Sequence, residues 1–365
     1  MQNKTHMATL DGLRGVAALS VMLMHFSKTW HTGLILPRAY LAVDFFFALS
    51  GFVIAKSYED RLKGSLSFLK FSKLRLQRLY PLILFATCLA AVEAGLRIFA
   101  HGPPQTVHGG LTLFVEFGLG ILLLPDFFAI NNRMFPLDAP AWSLFYEFGV
   151  NFLYAGIVRY LTIWRLVAVL VVAGVCLIHL NVKHGSADFG YSAIQFKAGA
   201  ARVVFSFFAG VLLYRLRLRG SFAGLPPLSG FWLAGALLLT FLPPAYHFPW
   251  YYDPVCIFIV YPLIIAIGSE DHLTVPGVSL ALWLGRLSYP VYLLHWPLIA
   301  QNADWIFHGR HGLGLVATTA VSALAVVLVS WLVLVFYDEP VRARLKRGLR
   351  RRPAEVLVLG VQNAG

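Results

Sequence analysis

The chain of 365 residues has few charged side chains. Only 13% of its residues are Asp, Glu, Lys or Arg, whereas 58% are hydrophobic. Soluble domains carry about 25% charged residues. A chain of this composition would expose too much apolar surface in water, so a soluble fold is excluded and lipid is the expected solvent. We predict an all-α membrane protein that uses the whole chain.

The chain has only three cysteines, Cys88, Cys176 and Cys256, which lie far apart within apolar stretches. This spacing excludes a disulfide framework and a cysteine metal site, and we expect no metal cofactor. No cleavable signal peptide is expected, because the first apolar stretch contains Arg14 and lacks a small-residue cleavage site. That stretch is therefore predicted to remain as a membrane helix.

Acidic residues are in the minority, with 17 Asp and Glu against 30 Lys and Arg, which gives a formal net charge of +13. Seven of the basic residues lie within 56–78 and seven more within 342–352. Both clusters flank apolar segments, as the positive-inside rule expects for cytoplasmic loops. No nucleic-acid recognition module accompanies them, so no nucleic-acid partner is predicted. Anionic lipid headgroups are the expected partners.

Ten segments are predicted to cross the bilayer, since a spanning helix needs roughly 20 mostly apolar residues. They are residues 10–28, 40–57, 79–100, 142–160, 166–181, 200–215, 229–244, 253–268, 280–301 and 313–337. A further apolar stretch, 111–130, contains Glu116 and Asp126 and is predicted to be re-entrant or interfacial. If it crossed, the C-terminal basic cluster would lie outside. We therefore predict cytoplasmic termini, a membrane domain over 1–341 and a basic tail over 342–365.

Ionisable side chains inside spanning segments are costly, so each one marks a candidate site. Arg14 and His25 are eleven residues apart in the first segment. A helix separates them by about 16 Å along its axis and keeps them on nearly one face. A fixed cation near the cytoplasm and a titratable base in the outer half suit a long anionic substrate. The alternative is a headgroup anchor and an ordinary hydrogen-bonded core histidine.

The second segment carries Asp44 in its outer half, where its carboxylate is predicted to orient His25 and raise its basicity. Ser50 and Gly51 follow in the same segment. Small residues permit the close approach of a helix or a ligand, and we interpret these two as part of a cofactor site. The alternative is a helix-packing motif with an interfacial aspartate.

Two further groups of polar residues begin the third and fourth segments. Arg75 and Arg78 lie one turn apart at the cytoplasmic surface and are expected to bind a phosphate together. Their alternative role is to set the topology. Trp142 begins the fourth segment at the outer face, where it would stack on a sugar ring or belong to the interfacial aromatic belt. Glu147 lies inside the apolar run that follows and needs a partner.

The ninth segment carries Tyr292 and His295, with Pro290 and Pro297 predicted to kink the helix. The polar side chains therefore sort by depth, with the arginines near the cytoplasm and the histidines and carboxylates toward the outside. This distribution predicts a cavity with a cationic entrance and an acid–base centre. Four side chains are predicted to shape the acceptor side of that cavity: Trp142, Glu147, Tyr292 and His295.

These elements resemble, in the same order, those of the integral-membrane acyltransferase 3 family, whose members acylate polysaccharides, glycolipids and some antibiotics. The resemblance covers nearly the whole chain. It rests on six elements: Arg14 with His25, Asp44 to Phe52, Arg75 to Pro81, Trp142 to Glu147, Ser288 to Pro297, and Glu339 with Pro340. Many members also carry an extracytoplasmic SGNH hydrolase-like domain, and none is expected here.

The resemblance implies an acyl-coenzyme A donor, commonly acetyl-CoA, that enters from the cytoplasm. It also implies an acceptor hydroxyl on a carbohydrate or glycolipid outside the bacterial inner membrane. Arg14 would contact the phosphates of the coenzyme, and His25 would take the proton of the hydroxyl. A transient acyl-histidine is the alternative route. Two other classes stay open: a secondary transporter or flippase with a proton relay, and a non-catalytic sensor or scaffold.

Overall fold

The computed structural model describes eight stretches of the chain: residues 7–28, 35–101, 109–129, 131–222, 224–225, 228–244, 249–270 and 277–347. These stretches are helical and contain no β-strand, as predicted, with a single bridge between Arg133 and Ser192. The tail predicted over 342–365 begins inside a helix that continues to Arg347. Residues 348–365 lie outside the described part of the chain, so the division at residue 341 stays a prediction.

Thirteen α-helices follow one another in the described residues. They are α1 (Ala8–Ser27), α2 (Ala42–Lys63), α3 (Phe68–His101), α4 (Gly109–Ile121), α5 (Ala141–Ile157), α6 (Ile163–His184), α7 (Phe196–Leu218), α8 (Gly230–Leu239), α9 (Tyr252–Val255), α10 (Tyr261–Gly268), α11 (Gly277–Leu298), α12 (Ala303–Phe307) and α13 (Gly312–Val333). A π-helical turn joins α9 to α10, and another extends α13.

Five helical segments of the described chain are long and apolar enough to span a membrane. They are Ala39–Lys63, Phe68–Ala100, Ile163–His184, Ala193–Leu218 and Gly312–Arg347. Each of the ten segments predicted from the sequence coincides with a helix, but the count of ten crossings and the cytoplasmic termini stay predictions. The third segment begins earlier than expected, so that Pro81 lies inside α3 and not in its first turn. The Lys, Arg, Leu and Gln residues before Pro81 are good helix formers, which explains the extension.

Two pairs of helices that are distant in sequence run parallel. Arg14 on α1 bonds to Ser288 on α11, and farther along α1 His25 bonds to His295 of α11. In the same way α2 and α7 are joined first by the carboxylate of Asp44 and then, 15 residues later on α2, by that of Glu59. Parallel helices cross a bilayer in the same direction, so an odd number of crossings must lie between the end of the first helix and the start of the second.

Glycines allow both pairs to pack closely. A Cβ on Gly51 of α2 would lie 1.9 Å from the carbonyl oxygen of Phe207, and a Cβ on Gly210 of α7 would lie 1.9 Å from that of Ala48. In the other pair, a Cβ on Gly15 would lie 2.7 Å from the carbonyl oxygen of Leu284. The backbones therefore touch, as small residues at membrane helix interfaces permit. This contact fixes the register of the helices that carry the polar residues.

The stretch predicted to be re-entrant, 111–130, contains α4 and the start of an irregular segment. With 13 residues, α4 is about 20 Å long, shorter than the roughly 30 Å of a bilayer core. If α3, α5 and α6 cross, α2 and α7 point the same way only when α4 does not cross. The observed parallel pair therefore agrees with the re-entrant prediction.

Candidate active site

Two cavities of similar size lie between α1, α2, α5 and α11. The first, here called the arginine cavity, has an empty volume of about 780 Å³. Its polar lining consists of Arg14, Ser50, Arg75, Arg78, Ser143, Glu147, Ser288, Tyr289 and Tyr292. The second, the histidine cavity, has about 770 Å³. Its polar and aromatic lining consists of His25, Lys28, Tyr40, Arg133, Phe135, Trp142, Asp188, Tyr191, Arg202, Tyr292 and Trp296. Both volumes include space that is open to the surroundings, so the cavities are clefts and not enclosed chambers.

The two cavities share a wall. Val43 and Tyr292 line both of them. The hydroxyl of Ser143 donates to the carbonyl of Pro140 at 3.0 Å, so the 2.8 Å bond between Ser143 and Tyr292 is donated by the tyrosine. The ring of Phe46 packs edge-on against that of Tyr292 on the arginine side, with 5.5 Å between centroids. A single layer of side chains therefore separates the cavities.

Arg14 is held against one wall of the arginine cavity by α11. Its Nε donates to the hydroxyl of Ser288 at 2.8 Å, and its Nη2 donates to the carbonyl of Gly285 at 2.6 Å. Asp11, one turn earlier on α1, lies 3.1 Å from the same Nη2. These three partners fix the direction of the guanidinium. The predicted partners Arg75 and Arg78 line the same cavity.

Glu147 lies with the arginines and not with the residues predicted for the acceptor side. Its Oε1 accepts from Nη2 of Arg75 and from the hydroxyl of Ser50, each at 3.0 Å. Arg75 is only 3% exposed, and a buried cation requires a counter-ion. Five residues of helix also place Glu147 about 7.5 Å deeper than Trp142, which lines the histidine cavity. Nε of Arg75 is buried and has no hydrogen-bond partner among the described residues.

Gly51 does not line either cavity among the residues described, whereas its neighbour Ser50 lines the arginine cavity. The position of Gly51 against the backbone of Phe207 gives it a packing function, because any side chain there would clash with α7. Of the two small residues predicted for a cofactor site, the structure therefore places only Ser50 beside the space that a cofactor would occupy.

His25 contacts a second histidine. Its Nδ1 lies 2.8 Å from Nε2 of His295, and the rings stack with 5.1 Å between centroids. Nδ1 of His295 lies 3.0 Å from the carbonyl of Val291, which can only accept. His295 must then carry its proton on Nδ1 and accept on Nε2. Nδ1 of His25 must then donate to Nε2 of His295, so neutral His25 carries its proton on Nδ1. The lone pair of His25 Nε2 is therefore free.

His295 lines neither cavity and is fully buried. It was predicted on the acceptor side, but the structure places it behind His25, at the end of the hydrogen-bonded chain. His25 lines the histidine cavity together with Trp142 and Tyr292, two residues that were also predicted there. Trp296 packs edge-on against His25, with 5.3 Å between ring centroids.

Asp44 has a different partner from the predicted one. Nε and Nη2 of Arg202 hold its two carboxylate oxygens at 2.7 to 2.9 Å, and the hydroxyl of Ser206 lies 3.3 Å away. Arg202 also donates to the carbonyls of Tyr40 and Phe189. The carboxylate therefore balances a buried guanidinium, and the predicted orientation of His25 by Asp44 is replaced by orientation through His295.

Sequence reasoning missed Arg202, although the signal was present. It is a basic residue within the apolar run 200–215, and the rule that marks ionisable side chains in spanning segments applies to it. It also missed Lys28, the last residue of the predicted segment 10–28, and Arg133, which lies outside the predicted segments. Their contribution to the histidine cavity depends on tertiary structure. Among the described residues, no group of three or more His, Cys, Asp or Glu side chains is arranged to hold a metal ion.

Comparison with known proteins shows the family. A family model described as an acyltransferase domain matches residues 7–335 of this chain. The "Protein 2 in picA locus" of Rhizobium radiobacter is 38% identical over 177 residues, which is 46% of this chain and 91% of that protein. The O-acetyltransferase OatA of Staphylococcus aureus strain NCTC 8325 is 33% identical over 91 residues. A putative O-acetyltransferase of Staphylococcus aureus strain MSSA476, SAS0844, is 37% identical over 83 residues.

The matches to the staphylococcal proteins are partial. They span 24% of this chain and 14% of OatA, and 22% of this chain and 13% of SAS0844. No solved structure shows a significant match.

Proposed function

This chain is an acyltransferase that belongs to the acyltransferase 3 family, and we propose that it moves an acyl group, commonly acetyl, from cytoplasmic acyl-coenzyme A to a hydroxyl of an extracytoplasmic carbohydrate or glycolipid. The observation that carries this proposal is the shared wall at Val43 and Tyr292. The arginine cavity lies on one side of this wall. On the other side lies Nε2 of His25, whose lone pair is free to accept a proton. The staphylococcal relatives named O-acetyltransferases support transfer to oxygen.

The arginine cavity suits the donor. Coenzyme A carries several phosphate charges, and Arg14, Arg75 and Arg78 offer three permanent cations, against the carboxylate of Glu147 in the lining and that of Asp11 beside Arg14. The hydrogen bonds from Arg14 to α11 hold its guanidinium in place before a ligand arrives, which reduces the entropy cost of binding. Arg75 and Arg78 belong to the basic cluster 56–78, so we assign this cavity to the cytoplasmic side.

The histidine cavity suits the acceptor. Trp142 and Trp296 line it with aromatic rings that a sugar could contact, and Tyr191 adds a polar group. His25 lies about 16 Å from Arg14 along α1, which places it in the outer half of the bilayer. We assign the protein to the bacterial inner membrane, with this cavity open to the outside.

The chemistry follows from the tautomers of the two histidines. The thioester must pass the side-chain layer at Val43 and Tyr292 to reach His25. There the acceptor hydroxyl gives its proton to Nε2 of His25 while its oxygen attacks the thioester carbon. The carbon–sulfur bond then breaks, and the thiolate takes the proton from the imidazolium and leaves as coenzyme A. During attack, the charge on His25 is stabilised by the lone pair of His295 Nε2. A positioned base of this kind contributes about 10²–10⁴-fold to the rate.

Asp44 then acts as a positioning residue. Its ion pair with Arg202 joins α2 to α7, and Arg202 lines the histidine cavity. The guanidinium carbon also lies 5.7 Å from the centre of the Trp142 ring. The pair therefore holds one wall of the acceptor cavity and the aromatic surface on it.

The test is release of free coenzyme A by the purified protein in lipid nanodiscs, supplied with acetyl-CoA and a mixed glycan extract. Wild type is compared with His25→Ala. Release that requires both the glycan and His25, with an acetylated glycan found by mass spectrometry, supports the proposal. Equal release by the two proteins would refute the assignment of His25, and glycan accumulation in vesicles without covalent change would favour the transporter alternative.

A further inference from the structure

Two cations in the histidine cavity have no carboxylate partner among the described residues. Lys28 follows the last residue of α1, and Arg133 lies in the segment between α4 and α5. Both side chains line the cavity and are exposed to it or to solvent. Among the described residues, no carboxylate lies within ion-pair distance of either one. Arg133 stacks on the ring of Trp296 at 5.1 Å, and that ring contacts His25.

Their position is opposite to the charge rule for membrane proteins. Basic residues are enriched in cytoplasmic loops, so an outer cavity should contain few of them. Two other basic residues of the outer half differ from them because each has a buried carboxylate partner. Arg38 is paired with Asp253 and Arg202 with Asp44, and all four side chains are buried. Those cations are therefore structural, whereas Lys28 and Arg133 remain available to a ligand.

The lining as a whole has an excess of positive charge. With Arg202 balanced by Asp44, the remaining charged residues are Lys28, Arg133 and the single carboxylate of Asp188. A neutral sugar needs aromatic faces and hydrogen-bonding groups, which the cavity already has. Both cations are exposed and lie beside the base, so they can pair with an anionic group of a ligand that enters the cavity.

From this charge distribution we infer that the acceptor is an anionic glycan or glycolipid, with a carboxylate or phosphate close to the hydroxyl that is acylated. The inference rests on the proposed function, because it assigns the acceptor class of the same site. The negative group is held by Lys28 and Arg133, and the sugar ring lies against the aromatic side chains. The hydroxyl is thereby directed toward Nε2 of His25.

The experiment measures binding without the donor, so that it does not depend on turnover. The protein in nanodiscs of neutral lipid is titrated with three probes: a glucuronic-acid oligosaccharide, its carboxyl-reduced glucose counterpart, and a glucosyl phosphate. We expect at least one anionic probe to bind about tenfold more tightly than the neutral oligosaccharide, as one partly solvated charge contact provides. The preference should shrink as salt is raised, because screening weakens exposed charge contacts.

Substitutions test whether Lys28 and Arg133 cause the preference for the anionic probe. Lys28→Met and Arg133→Met each retain a long apolar stem and should lose most of the tenfold preference, while their affinity for the neutral probe stays the same. Lys197→Met is the matched control, since Lys197 is an exposed lysine at the start of α7 that lines neither cavity. Equal binding of the charged and neutral probes by wild type would overturn the inference, as would a preference that survives in both variants.

The same probes distinguish a failure of this inference from a failure of the proposed function. If acetyl-CoA and the neutral oligosaccharide give His25-dependent acetylation as fast as the charged probes do, the acyltransferase proposal stands and the anionic acceptor is refuted. If charged probes bind selectively but none of the probes is acetylated, the site selects anions and the proposed reaction is what has failed.

Discussion

Replacing His295 tests the hydrogen-bonded chain that the structure places behind the base. His295→Phe keeps a ring of similar size in a fully buried position and removes the acceptor of the bond from Nδ1 of His25. The change leaves that N–H without its partner and removes the group that stabilises the imidazolium. A hydrogen bond to a charged group contributes about 1.5–3 kcal/mol.

At about 1.36 kcal/mol per factor of ten, this loss predicts a fall in kcat of about 10- to 150-fold. KM for acetyl-CoA should change little, because His295 lines neither cavity and the arginines of the donor cavity are untouched. His295→Gln offers an amide oxygen that can accept from the same nitrogen, and it should recover part of the rate. His25→Ala should be the slowest of the three.

Release of coenzyme A from nanodisc-embedded protein, measured as initial rate against donor concentration, separates kcat from KM. Thermal unfolding of each variant shows whether a rate loss reflects misfolding. An unchanged kcat in a folded His295→Phe protein would refute the reasoning, because it would mean that His25 needs no partner. A rise in KM for the donor with an unchanged kcat would place His295 in donor binding, against the observed geometry.

Three further changes have definite expectations. Arg75→Gln should raise KM for acetyl-CoA about tenfold with a smaller change in kcat, whereas Arg75→Lys should recover part of the affinity; initial-rate kinetics checks this. Asp44→Asn and Arg202→Met should each destabilise the fold by about 3–5 kcal/mol, and the double variant by less than their sum, as denaturation in detergent would show. Gly51→Ala should fail to fold or lose much of its thermal stability, while Gly149→Ala, with open space at its Cβ, should behave as wild type in the same melting assay.

The sequence predicted well what depends on one helix. Eleven residues of uninterrupted helix fix the distance and rotation between Arg14 and His25, and α1 is continuous over that range. The two residues accordingly line two different cavities, as an extended substrate requires. Apolar length likewise located the helices, because a run of about 20 apolar residues has few other structures open to it.

The partner of each buried charge could not be predicted in this way. His25 and Asp44 were both expected in the outer half, and similar depth suggested a contact. The structure instead pairs His25 with His295 and Asp44 with Arg202, because the glycine contacts of α1 with α11 and of α2 with α7 set which faces meet. Register between helices depends on such close backbone contacts, which spacing within one helix does not encode.

Counter-ions therefore separate two kinds of cation in this protein. A buried guanidinium whose three nitrogens all donate to protein acceptors, such as that of Arg202, contributes to the fold and has little capacity left for a ligand. Arg78 lines the arginine cavity and Lys28 lines the histidine cavity. Neither has a carboxylate at ion-pair distance among the described residues. Both side chains are exposed, so each can pair with an anion that enters its cavity. Under the proposed function, those anions are the coenzyme in the arginine cavity and a negatively charged acceptor in the histidine cavity.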